Sequence, residues 1–341
     1  MTTGNALLER NGEVTRRGFL GGAAAFATCG CAARTMPAGP VRLEKLGTID
    51  IFIVEANPIV FKGKPWLMEY IRYTSEIKRY RHNHFGTSYF RFRDLTDLSR
   101  FSEPFGMGLH MGNAFVHDGR IYVTAVENWG KPRFYQLESD DMVHWTKPRV
   151  ILEGPEWQGY NTNLCDAGDR FVLTYELGAP KSIVGRSFTM FFAESKDLKT
   201  WKRIDSASMG REAYTGAPML RHHNGWFYFF HLRRRDTPGV FGYWTRVCRS
   251  RDLVNWEMSP HVVLGYDSAV DRALHPGVEF TAAERDEIAN ATDINTSDLD
   301  MCDYGGGLIG CYSWGNQKGK EYLSLVRADC TEREFCESFF A

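Results

Sequence analysis

Five stretches of this chain bring carboxylates and amides to the start of a strand-like run. They are Glu55-Ala56-Asn57-Pro58, His110-Met111-Gly112-Asn113, Tyr160-Asn161-Thr162-Asn163, Glu212 through Pro218, and Asn295-Thr296-Ser297-Asp298-Leu299-Asp300. Side chains two apart on a strand share a face, so Glu55 projects with Asn57 and Asp298 with Asp300. One protonated and one ionised carboxyl group flanking a bond can split it by acid–base catalysis. On that chemistry Glu55 is the expected base or nucleophile. Asp298 is the expected second carboxylate, able to move a neighbour's pKa. Glu176, ending the run Thr174-Tyr175-Glu176-Leu177, and the loop-borne Glu212 stand behind them as further catalytic candidates. Asn57, Asn113, Asn163, Asn316 and Gln317 can each donate and accept hydrogen bonds to hydroxyl groups. His110 reads as a ligand or a general acid, and Trp314-Gly315-Asn316 as an aromatic platform on a strand-end loop. Each has a plainer alternative: a rim ion pair for Glu55, an Asx cap for Asp298, a hydrogen-bonded core side chain for His110.

The elements that must position these groups announce themselves by repetition. Asp97-Leu98-Ser99-Arg100-Phe101, Asp141-Met142-Val143-His144-Trp145, Asp197-Leu198-Lys199-Thr200-Trp201 and Asp252-Leu253-Val254-Asn255-Trp256 are one phrase, at spacings of 44, 56 and 55 residues. Self-similarity at a period of roughly 40–50 residues among short strands signals a β-propeller. Five strand pairs precede or follow these phrases, two of them joined by the hairpin turns His117-Asp118-Gly119 and His223-Asn224-Gly225. The sequence therefore predicts an all-β, five-bladed β-propeller. Each phrase makes the turn between the outer two strands of a blade, and its Trp or Phe plugs the gap to the next sheet. The four Asp residues are structural on this reading. Thr281 with Glu284 forms a capping box, which predicts a helix of about three turns over 281–291, inserted before the last blade. Residues 41–50 enter the first blade or close the ring.

The chain divides into an export leader and linker, residues 1–40, and a propeller domain, residues 41–341. Arg16-Arg17-Gly18-Phe19-Leu20 followed by a short run of small and apolar residues reads as a twin-arginine signal. It predicts a periplasmic or extracellular protein, lipid-anchored if Cys29 or Cys31 is modified, or cleaved near Ala32 or Ala33. The 41 basic and 42 acidic residues leave a net charge of −1, which gives no field for nucleic acid. The leader's apolar run is too short to span a membrane. Cys165, Cys248, Cys302, Cys311, Cys330 and Cys336 show no metal spacing; the last two are close enough in sequence to pair in an oxidising compartment. No cofactor is required. Asp298, Asp300 and Asp303 leave an axial Ca²⁺ open.

Residues 41–341, with phrases such as Ser195-Lys196-Asp197-Leu198-Lys199-Thr200-Trp201, resemble the five-bladed propeller glycosidases related to families 43, 32 and 117. The stretch from Asn295 to Asp300, with Tyr312 to Gln317, resembles a bacterial group called glycosidase-like. The resemblance implies an exo-acting glycoside hydrolase working on an oligo- or polysaccharide. A glycan-binding propeller without catalysis is the alternative. So is a glycoside phosphorylase, which needs Arg or Lys at the pocket; Arg233-Arg234-Arg235 is the conspicuous basic run. The chain departs from family 43 at each catalytic position. Asn57 stands where that family has its base Asp before Pro, Asn113 where it has the second-blade Asp, and Gly216 where it has the acid Glu.

Overall fold

The computed structural model describes residues 39–73, 85–186, 188–235 and 241–341. The twin-arginine stretch and Cys29 and Cys31 lie outside the described residues. Five antiparallel sheets follow one another along the chain. The first blade is β2 (Ala56–Phe61), β3 (Lys64–Ile71) and β4 (Tyr89–Asp94). The second is β5 (His110–His117), β6 (Arg120–Val126), β7 (Arg133–Ser139) and β8 (Arg149–Glu153). The third is β9 (Gly159–Asp166), β10 (Phe171–Leu177), β11 (Thr189–Ser195) and β12 (Lys202–Met209). The fourth is β13 (Met219–His223), β14 (Trp226–Arg234), β15 (Tyr243–Ser250) and β16 (Glu257–Met258). The fifth is β17 (Thr296–Tyr304), β18 (Gly307–Gly315) and β19 (Glu321–Ala328), and its outer strand is β1 (Glu44–Ile51), the first strand of the chain. Residues 41–50 thus close the ring.

The phrase that marks the blades works through its Asp. Asp141 Oδ1 accepts from the backbone N–H groups of Val143 and His144, and Asp197 and Asp252 do the same two and three residues on. Such Asx-type bonds fix the turn locally. Each of these turns holds its next residue, Met142, Leu198 or Leu253, at a φ of 56° to 67°. The following Trp bridges to the preceding blade. Trp145 stacks on Phe105 with ring centroids 3.9 Å apart, Trp201 donates to Gln136 Oε1, and Trp256 stacks on Phe192. Phe101 departs from the pattern. It is 43% exposed and lies under the guanidinium groups of Arg91 and Arg93 instead of plugging a gap.

The hairpin turns form as the sequence predicts, with Asp118 and Gly119 at φ 48° and 73°, and Asn224 and Gly225 at 51° and 74°. The inserted helix is shorter than expected. Thr281 and Glu284 form the capping box, but the helix covers Ala282–Ala289, about two turns. Four short helices occur among the described residues: α1 (Lys181–Val184), α2 (Ser268–Asp271), α3 (Ala282–Ala289) and α4 (Glu332–Ser338). None of the six described cysteines is joined in a disulfide, so the pairing of Cys330 with Cys336 does not form.

Inner strands of neighbouring blades splay apart, so side-chain amides join them. Asn57 Nδ2 donates to Ala114 O at 2.8 Å and Asn57 Oδ1 accepts from Ala114 N at 2.9 Å. Asn163 Oδ1 accepts from Leu220 N, while its Nδ2 and that of Asn113 both reach Asp300 Oδ2. Buried amides are stable only with this degree of pairing.

Candidate functional site

The inner strands open onto a cavity of about 530 Å³ at one mouth of the axis. Its floor is a ring of five equivalent positions, one from each blade: Glu55, Met111, Asn161, Ala217 and Asp298. Three of them hold a positive φ without being glycine: Met111 at 50°, Ala217 at 59° and Asp298 at 51°. The pairing of β5 with β6 and of β17 with β18 slips at the same places, between His110 and Asn113 and between Ser297 and Asp300. Bulges of this kind re-aim side chains and concentrate strain beside functional sites.

Four carboxyl groups converge here: Glu55, Glu176, Asp298 and Glu321. Glu176 comes from the second strand of its blade, at an irregularity in the pairing of β10 with β9. It is 1% exposed. Its Oε2 accepts from the backbone N and from Nδ2 of Asn161, the latter at 2.8 Å. Burial pushes its pKa up to about 7 against those two bonds. Its Oε1 occupies the space beside Gly216: a Cβ added there would lie 3.2 Å from Glu176 Oε1 and 2.9 Å from the Tyr214 hydroxyl.

Glu55 is also raised, first by burial; Arg72 opposes this and is the strongest influence holding it ionised. The carboxyl of Asp298 is pushed far above the usual range by burial and then by the charge of Glu55. Glu321 is raised by burial and steadied by Arg72, whose Nη2 lies 3.7 Å from Glu321 Oε2. Among the described residues Glu55 Oε2 and Arg72 Nε are buried without a hydrogen-bond partner, and Glu321 Oε2 has the Arg72 guanidinium at 3.7 Å. Aromatic walls complete the cavity: Trp129, Tyr160, Phe188, Tyr214 and Tyr243.

Of the expected site residues, Glu55, Asp298, Glu176 and Gln317 line this one cavity. Gln317 donates to the Tyr214 hydroxyl. Glu212 is exposed and outside the lining. Asn57, Asn113 and Asn163 share a strand face with the ring but sit deeper, line a cavity at the opposite mouth, and spend their amides on joining blades. The platform expected at Trp314 does not form. Its ring is fully buried in the fifth blade, stacked on Tyr322 at 4.4 Å, with Nε1 donating to Thr48 Oγ1. Asn316 accepts from Lys318 N and Lys320 N and so makes a turn. His110 is held between the Tyr70 hydroxyl and Ser88 Oγ, and burial lowers its pKa, which keeps it neutral behind the cavity. None of Arg233, Arg234 and Arg235 lines the cavity; Arg235 stacks on Trp244.

Arg72, Asn161, Glu321 and the aromatic walls were not singled out from sequence. Arg72 and Glu321 lie at strand ends away from the axis, where no local pattern marks them. Among the described residues no group of three or more His, Cys, Asp or Glu side chains is arranged to hold a metal ion. Asp300 is engaged by Arg221, and Asp303 by the backbone N of Glu332.

No protein-family model and no curated protein sequence matches the chain. Solved structures do. A family 62 α-L-arabinofuranosidase domain of Coprinopsis cinerea superposes with a TM-score of 0.56 at 12% identity, over 86% of this chain and 99% of that one. An α-L-arabinofuranosidase of Podospora anserina, solved with cellotriose, gives 0.55 at 12% identity over 86% and 96%. A xylan β-1,4-xylosidase of Bacillus halodurans gives 0.51 at 12% identity, over 84% of this chain and 54% of that one. The fold is that of the five-bladed propeller glycoside hydrolases. At such identities the likeness establishes the propeller and its closure, and carries no residue's role across. Among the described residues no helix is long and apolar enough to cross a membrane.

Proposed function

We propose that this propeller is a glycoside hydrolase in which Glu176 is the general acid and Glu55 the base or nucleophile. The observation that supports it most is the space beside Gly216. Glu176 leans from the neighbouring blade into the position a side chain at 216 would occupy, and it carries a pKa near 7. A carboxyl group poised there is protonated over the working range of a general acid. Glu55 differs from it in having Arg72 nearby to favour the charged form. Asp298, next to Glu55, adjusts that balance and replaces neither. The two carboxyl groups open onto one cavity with a narrow floor, which suits the end of a chain and hence exo-action.

Protonation of the leaving oxygen by Glu176 and attack by water or by Glu55 on the opposite side of the sugar complete the cycle. The Asn161 bonds fix one oxygen of Glu176 and leave the other, Oε1, to face the substrate. A phosphorylase is less favoured, because among the described residues the lining brings four carboxyl groups and one buried guanidinium, that of Arg72, toward inorganic phosphate. Asn57 and Gly216, at the family's catalytic positions, favour the second reading, a glycan-binding propeller. Export by the twin-arginine route, on Arg16 and Arg17, would bring either protein to extracellular glycans.

The test is a screen of the purified protein against plant and algal oligosaccharides, with Glu55→Gln, Glu176→Gln and Asp298→Asn beside it. Loss of turnover by at least about a hundredfold in the two glutamate variants is expected. Full turnover in both would remove the assignment, and binding without any product would establish the second reading.

A further inference from the structure

The segment inserted before the last blade ends in a short bridge. Ile294 N donates to Gly315 O at 3.0 Å, and Ile294 O accepts from Tyr243 N at 2.8 Å. Asn295 pairs in parallel with Tyr243. The bridge thus ties the start of β15 to the end of β18. Both lead directly into the cavity lining, β15 with Tyr243 itself and β18 with Gln317, Lys318 and Gly319 just beyond it. Asp293 opens the bridge and is 7% exposed.

Among the described residues no donor reaches either oxygen of Asp293 in hydrogen-bonding geometry. The polar groups beside it are the Ser268 hydroxyl and the carboxyl group of Asp271. Asp271 is fully buried and well supplied. Its Oδ1 accepts from Lys45 Nζ at 2.6 Å and from the Tyr312 hydroxyl, and its Oδ2 accepts from Asp267 N at 2.6 Å. Lys45 belongs to β1 and Tyr312 to β18, so Asp271 is anchored on the fifth blade. The ionisable groups around the pair, among the described residues, are these two with Asp267 and Arg272 of the inserted segment; Lys45 also donates to Gly265 O, and Arg272 to Ala291 O. Two neighbouring carboxyl groups out of water cannot both ionise without strong repulsion. One proton shared between them removes the repulsion and makes the missing hydrogen bond.

We propose that Asp293 shares a proton with Asp271, that this proton fastens the bridge to the fifth blade, and that its loss at alkaline pH loosens the bridge and with it the cavity wall at Tyr243. Burial, and then the charge of Asp271, raise the pKa of Asp293 to about 7. An acid raised in the folded state contributes stability below its ordinary pKa and loses it as pH rises through the folded value. The bridge is therefore held at pH 6 and loosened at pH 8. Neither state depends on the chemistry in the cavity, so both are read without substrate.

The experiment is amide hydrogen exchange of the full chain at pH 6 and pH 8, corrected for the intrinsic dependence of exchange on pH. In the native chain, opening at the amides of Tyr243 and Ile294 rises about tenfold between the two, the factor for one proton lost near pH 7. Asp293→Asn stays neutral at both pH values and abolishes the rise. Asp293→Ser, smaller and also uncharged, repeats the comparison should the amide disturb folding. Glu176→Gln removes the titration in the cavity and keeps the rise, which separates local opening of the bridge from unfolding of the whole propeller. Exchange at these amides that is the same at pH 6 and pH 8, a rise that persists in the Asp293 variants, or a rise that disappears in Glu176→Gln would each overturn the proposal.

Discussion

Glu176 links stability to function in a way that can be measured before any substrate is known. Its carboxyl group is 1% exposed, and its pKa rises from 4.5 to about 7 on folding, through burial. Raising an acid's pKa means that the folded state binds the proton more tightly than the unfolded one. The stability this provides is fully present below about pH 4.5. It is lost progressively as pH rises through about 7, where the folded state too must carry a buried charge. A shift of this size corresponds to about 3 kcal/mol between the two limits. Glu176→Gln removes the titration while keeping the shape and an oxygen to accept from Asn161. Relative to the native chain, the variant should be nearly neutral at pH 5 and more stable at pH 8, by up to about 3 kcal/mol, less whatever neighbouring Glu55 absorbs by its own titration. Thermal unfolding followed by circular dichroism or calorimetry at both pH values reads this directly. The expected gain in Tm at pH 8 is several degrees. Turnover of the same variant should fall by about 10²–10⁴, the contribution of a general acid. A Tm difference that is the same at pH 5 and pH 8 would refute the titration of Glu176, and with it the physical basis of its role as acid.

Three further outcomes follow from particular contacts. Arg72→Met removes the cation that favours ionised Glu55, so the acidic limb of the pH–rate profile should move to higher pH and the rate at pH 5 should drop about tenfold or more; an unmoved limb would separate Arg72 from Glu55. Gly216→Ala places a methyl group 3.2 Å from Glu176 Oε1 and 2.9 Å from the Tyr214 hydroxyl, so kcat should fall at least about tenfold with KM nearly unchanged, and unimpaired kcat would count against Glu176. Asn57→Asp exchanges the group that donates to Ala114 O for a carboxylate, which should lower stability by about 1–3 kcal/mol in chemical denaturation without raising activity; a gain in activity would mean that the family's base position is still aimed at substrate.

The blade count was legible because the Asp of each phrase has a local task, capping backbone N–H groups within three residues, and such tasks leave a pattern in sequence. The ring residues Glu55 and Asp298 were legible because polar side chains opening a strand have little reason to be there otherwise. The rule that residues two apart share a face then misled at Asn57 and Asn163. They do share it, but one step deeper, where neighbouring inner strands must be joined. Trp314 looked like a platform because Gly315 and Asn316 follow it; the fifth blade instead buries it, stacked on Tyr322 of β19 and bonded to Thr48 of β1. Arg72, Glu321 and the aromatic walls reach the cavity from strand ends and loops of different blades. Their meeting is a product of ring closure, which no local spacing encodes.

The pairing of β1 with β19 places Thr48 opposite Ser324. Nearly the whole domain must be synthesised before these partners can meet, and contacts of such high sequence separation form slowly. The cavity straddles that same seam: Glu55 and Arg72 follow β1, while Asp298 and Glu321 belong to the blade that β1 completes. An unclosed ring can therefore hold most of its blades in place and still have no assembled acid cluster. Onset of glycan binding or turnover during refolding would then time the last event of folding, the engagement of the two ends of the propeller.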